Sequence, residues 1–162
     1  MPSAYFPIAS VTLTASTASV TFSSIPATYT DLVIVADYLS TPSADAMYIR
    51  FNGDSAGNYS RTQLYGTGTA SGTNRASNES SIPALYAGTS TRVNSIIEIM
   101  NYANTTTYKT VLYKLDDTSL NILRGVGIWR KTPEAINTIL IQNNTNSFTA
   151  NSTFSLYGIK AA

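Results

Sequence analysis

With 162 residues, 10 Lys+Arg against 9 Asp+Glu and a formal net charge of +1, the chain has the size of one globular domain and no bias toward a charged partner. Cys and His are both absent, which excludes disulfides, thiolate nucleophiles, the usual zinc ligand sets and every Ser-His or Cys-His catalytic pair, so no cofactor and no metal is expected. Ten scattered cations form no phosphate-tracking stripe, and no run approaches the ~20 apolar residues that span a bilayer; neither nucleic acid nor membrane is an expected partner.

Thr (23), Ser (20) and Asn (13) supply much of the chain, while charged residues make up 12%. The surface is therefore mostly hydroxyl and amide. Hydrophobic residues still reach 43%, with 11 Tyr, 5 Phe and Trp129, enough for a packed core. The start, Met1-Pro2-Ser3-Ala4-Tyr5-Phe6-Pro7, lacks the cationic start and apolar run of a signal peptide, which predicts synthesis in a cytosol.

Residues 1–9 read as an extended N-terminal arm ahead of a domain over 10–162, held extended by Pro2 and Pro7. Its Tyr5, Phe6 and Ile8 are attachment candidates, with covering the base of their own domain as the alternative. From there apolar residues recur at spacing two, the period of a strand with one buried face. Val11, Leu13 and Ala15, then Ala18, Val20 and Phe22, predict a hairpin turning at Ser16-Thr17. Leu32–Leu39 (LVIVADYL) predicts a central strand covered on both faces. Met47, Ile49 and Phe51 form another row, Asn52-Gly53 a tight turn, and Tyr59–Tyr65 a strand returning alongside. Residues 66–79 (GTGTASGTNRASNE) read as a long exposed loop whose Thr73, Asn74, Arg75 and Asn78 are recognition candidates. Strands are predicted at Ile82–Tyr86, Val93–Tyr102, Tyr108–Leu115, Ile122–Arg130, Ile136–Gln142 and Thr153–Ile159. Helical alternatives exist for Ser95–Ala103, where apolar residues also fit helical spacing, and for one turn capped by Thr132 and Pro133. The fold class is all-β, an antiparallel, jelly-roll-like sandwich.

The motifs carry little chemistry. Asn52-Gly-Asp54-Ser-Ala56-Gly57-Asn58 resembles the start of a calcium loop, but Ala56 cannot ligate and Gln63 stands where a closing Glu would be. Two carboxylates could hydrolyse a glycoside without His, yet Asp31, Asp45, Glu79, Glu98 and Glu134 read as surface acids and Asp116-Asp117 as a solvated turn. Five Asn-X-Ser/Thr sequons are close to chance for a chain so rich in hydroxyls. Most tyrosines read as sheet packing, and Trp129, beside Gly125 and Gly127 on one strand face, reads as a core anchor with Arg124 and Arg130 opposite.

The stretches SVTFSSIPATYTDLVIV (19–35), MYIRFNGDSAGNYSRTQLYGTG (47–68), NYANTTTYKTV (101–111), GIWRKTPEAINTI (127–139) and FSLYGIK (154–160) resemble a β-sandwich module of tailed-bacteriophage virion surfaces. The resemblance covers nearly the whole chain. It implies a non-enzymatic homotrimer that decorates the outer capsid surface as a cement protein bound to the major capsid protein. The alternative it implies is the distal domain of a tail fibre or tailspike, recognising host cell-surface polysaccharide.

Overall fold

A computed structural model of the chain describes residues 5–41, 45–86, 91–117 and 121–160. Its regular elements are all strands: β1 (Tyr5–Thr12), β2 (Ser19–Phe22), β3 (Asp31–Tyr38), β4 (Ser40–Thr41), β5 (Ala46–Phe51), β6 (Tyr59–Gly66), β7 (Ser71–Glu79), β8 (Ile82–Tyr86), β9 (Val93–Met100), β10 (Lys109–Asp117), β11 (Ile122–Trp129), β12 (Ile139–Asn143), β13 (Ser147–Phe148) and β14 (Thr153–Ile159). An eight-stranded antiparallel sheet in the order β1-β14-β3-β9-β10-β11-β6-β7 packs on a four-stranded sheet, β2-β12-β5-β8, and β13 and β4 form a short pair. This is the all-β sandwich that the period-two patterning predicts.

Alternation decides which side chains meet. Leu32, Ile34 and Tyr38 of β3, Ile97 and Ile99 of β9, and Val111 and Leu115 of β10 face Met47, Ile49 and Phe51 of β5 and Ile139 and Ile141 of β12, all buried in one core. Burial of each such side chain contributes roughly 1.5–3 kcal/mol. Aromatic clusters close the two ends. Tyr38, Phe148 and Phe154 lie 4.9–6.2 Å apart at one, and Phe51, Tyr59 and Trp129 lie 5.5–6.3 Å apart at the other. Tyr59 also ties the sheets by hydrogen bonds, its hydroxyl accepting from the Phe51 amide (3.0 Å) and donating to the Asp54 carbonyl (3.1 Å).

Several sequence expectations are corrected. β1 and β2 are not a hairpin: β1 pairs with β14 and β2 with β12, because the chain crosses between sheets after Leu13 and is pinned there by amide bonds to Ser152 and Phe148. β6 does not run alongside β5. Asn52 (φ 50°) and Gly53 (φ 69°) form the expected turn, but Asp54 then carries the chain across to the other sheet. Residues 66–79 are no long loop. After a short turn in which the Thr67 amide donates to the Ala70 carbonyl, β7 pairs along β6. An edge strand needs only backbone bonds on one side, so polar residues suffice to build it and also discourage further pairing. The segment read as an arm contains β1, which begins at Tyr5; Met1–Ala4 lie outside the described residues. Residues 95–100 are strand rather than helix, and no helical turn forms at Thr132 and Pro133. Asp45 is not a surface acid: it is buried, and its carboxylate accepts from the amides of Ala46 (2.8 Å), Thr145 (2.6 Å) and Asn146 (2.7 Å), ordering the turn after β12.

Candidate functional site

β8 packs across β10, β11 and β6, so the β6–β7 hairpin overhangs the edge of the smaller sheet. Beneath the overhang lies a cleft of about 500 Å³ lined by Tyr48 and Pro83 from the β5–β8 edge and by Arg61, Gln63, Tyr65 and Asn74 from the hairpin. This volume falls within the ~300–1,000 Å³ of small-molecule sites. Arg61, Gln63 and Tyr65 reach it together because residues two apart on β6 share one face, and Asn74 is the register partner of Gln63.

The hydrogen bonding is asymmetric. Arg61 Nη1 donates to Asn74 Oδ1 at 3.0 Å, which orients the guanidinium, while its buried Nε has no partner among the described residues. The Tyr113 hydroxyl donates to Gln63 Oε1 at 3.2 Å. Burial pushes the Tyr113 phenol up to about 12 although the Arg61 charge opposes this, so Tyr113 remains a protonated donor that fixes the Gln63 amide. The hydroxyl end of Tyr65 lies against Gly72, where a Cβ would stand 2.6 Å from its oxygen and push the phenol aside. No carboxylate lines the cleft among the described residues, so two-carboxylate glycoside hydrolysis finds no acids there.

The candidates chosen from sequence fall in three places. Asn74 enters the cleft. Thr73 and Arg75 are on the opposite face of β7, and Asn78 (φ 59°) accepts a bond from Arg130 Nη2 at 3.1 Å. Phe6 packs against Tyr29, ring centroids 5.8 Å apart and planes tilted by 31°, with Lys160 Nζ 5.5 Å from its ring, and Ile8 packs against the core; both are engaged within the chain. Tyr5 stays 55% exposed at the start of β1. Sequence reasoning missed Arg61, Gln63, Tyr65 and Tyr48. The alternation Arg61-x-Gln63-x-Tyr65 was a readable signal for a shared face, but what that face overlooks depends on the other sheet.

The calcium-like loop has a different use. The Asp54 carboxylate accepts from Trp129 Nε1 (2.6 Å), the Ala56 amide (3.0 Å) and Asn58 Nδ2 (3.0 Å). Burial alone would raise its pKa, but these bonds outweigh burial and hold it below its usual value. No group of three acids is placed to hold a metal ion among the described residues.

A sandwich with an open cleft under an overhanging hairpin is thus the class of protein that the fold and site define. No protein-family model and no curated protein matches the sequence. Among solved structures, it is similar to the PL-14 alginate lyase of the marine Aplysia kurodai, at 7% identity and a TM-score of 0.36 over 83% of this chain and 70% of that one. It is also similar to a double mutant of the alginate lyase Aly36B in complex with alginate trisaccharide, at 10% identity and a TM-score of 0.30 over 89% and 81%. Both neighbours are alginate lyases rather than the virion proteins that the sequence resemblance leads one to expect, so the expectation of a non-enzymatic capsid decoration protein or tail receptor-binding domain finds no counterpart among them. At such scores they supply no residue correspondence, and function has to be argued from the cleft.

Proposed function

We propose that the chain binds an acidic polysaccharide in the cleft beneath the β6–β7 hairpin. The observation that carries this reading is Arg61, whose guanidinium lines the cleft with its Nε buried and unpartnered among the described residues. A guanidinium matches a carboxylate with two parallel bonds, and the bond from Nη1 to Asn74 holds this one in place at the cleft wall. The amides of Gln63 and Asn74 suit hydroxyls, and the phenol rings of Tyr48 and Tyr65 offer apolar faces to the C–H surface of a pyranose.

Calorimetric titration with alginate and polygalacturonate, against neutral dextran, tests the reading. Both polyuronates are expected to bind and dextran not to. Arg61→Gln should weaken uronate binding about tenfold or more, the equivalent of ~1.4 kcal/mol, with an unchanged melting temperature. Equal binding of dextran, or uronate binding that survives Arg61→Gln, would overturn it. Growth of ultraviolet absorbance from unsaturated chain ends during the titration would add cleavage to binding at the same cleft.

A further inference from the structure

We propose that the outer face of the eight-stranded sheet is a contact surface for further copies of this chain, with the β3–β9 half of one copy seated on the β11–β7 half of the next. Val35, Leu64, Met100, Ile122, Val126 and Ile128 all point outward on this face and are each 36–56% exposed. Isolated apolar residues on a surface need no explanation, but six on one face of one sheet form a contiguous patch of the kind that marks an interface. Six strands at ~4.8 Å spacing, each showing about seven residues at ~3.4 Å, give a face on the order of 700 Å², close to the ~800 Å² per partner of a stable complex.

Charge chooses the occupant. Outward acids stand on β3 and β9 (Asp31, Asp37, Glu98), with no outward base on either strand; outward bases stand on β11 and β7 (Arg124, Arg75), with no outward acid. β10 between them carries one of each, Lys114 and Asp116. Asp37 is already paired with Arg92 at 2.7 Å. Arg124 is fixed on the face by bonds from Nη1 to the Leu115 and Leu123 carbonyls. The register sets Glu98, Leu112 and Val126 in one row across β9, β10 and β11, with Arg124 two residues along from Val126. A symmetry axis parallel to the strands therefore brings Glu98 of one copy near Arg124 of the next, with apolar contact between them. Twofold closure places both halves against one partner, whereas threefold closure, the homotrimer that the resemblance implies, divides the face between two neighbours. Of the six apolar residues only Ile122 also reaches the rim of the cleft, which otherwise opens on the other side of the sheet, so variants at Glu98, Arg124 and Val126 test this surface independently of saccharide binding.

Light scattering at micromolar concentration is expected to give two or three times 17.4 kDa. Glu98→Arg and Arg124→Glu should each shift the mass to one chain with the melting transition still cooperative, and the double reversal should restore assembly. Val126→Lys supplies a second monomerising variant should either reversal fail to fold. A wild-type protein that stays at 17.4 kDa would overturn the proposal, as would single reversals that leave the mass unchanged or a double reversal that does not reassemble.

Discussion

Asp54 illustrates how one side chain can organise a loop that resembles a ligand site. Its carboxylate gathers the Trp129 indole, the Ala56 amide and the Asn58 side chain, and so anchors the crossing from the small sheet to the large one. Removing it leaves a buried indole N–H without a partner, and Asp54→Ala should cost about 2–4 kcal/mol, read from the denaturant midpoint and a red shift of Trp129 fluorescence. Because its folded pKa is lowered, the stabilisation it contributes is present above its usual 3.8 and is lost as pH falls through the depressed folded value. Unchanged acid stability in Asp54→Asn relative to the parent chain would contradict that account. The loop's turn at Asn52-Gly53 was legible from residue type, whereas the partner of Asp54 was not, because Trp129 is 75 residues away in sequence.

Strands in this chain are specified by glycine as much as by bulk. Tyr113 and Gly125 are direct register partners on β10 and β11, and a Cβ on Gly125 would stand 2.2 Å from the Tyr113 ring. The ring is buried and tethered to Gln63, which limits how far it can yield. Gly125→Ala should therefore destabilise by about 1–3 kcal/mol by overpacking. Adding Tyr113→Leu should make the double variant less unstable than the sum of the single ones, a coupling that chemical denaturation of the four proteins measures. Strands such as β3, β8 and β14 could be read from the sequence to within a residue, although β3, expected to be covered on both faces, leaves Val35 exposed on the outer one. β7 could not, since its nine residues are polar or small and its strand character comes from backbone pairing with β6.

Across the whole molecule, tyrosine burial sets the alkaline limit of the fold. Burial raises the pKa of Tyr38, Tyr59 and Tyr113, the last to about 12, against 10.0 for an ordinary phenol. A buried acid with a raised pKa contributes stability that is complete below pH 10 and disappears as pH rises toward the folded value. Alkaline titration is expected to hold these phenols protonated past pH 10 and then release them together with cooperative unfolding on the way to pH 12. Phenolate absorbance recorded alongside circular dichroism checks this. Titration of all 11 tyrosines near pH 10 with the sandwich intact would show the aromatic interior to be more open than its packing indicates.

By itself the sequence determined the class of fold and much of its parts list. Alternating apolar residues require strands with one buried face, and the absence of Cys and His removes whole families of chemistry. It also placed Trp129 in the core, because small neighbours on its strand face leave room for a large ring. Only the tertiary structure decided which strands share a sheet, since pairing partners such as β1 and β14 lie at opposite ends of the chain and local pattern is the same for either choice. The same holds for the candidate site: Arg61, Gln63 and Tyr65 share a face by alternation, but that face becomes a cleft because the smaller sheet stops at β8 while the larger continues through β6 to β7.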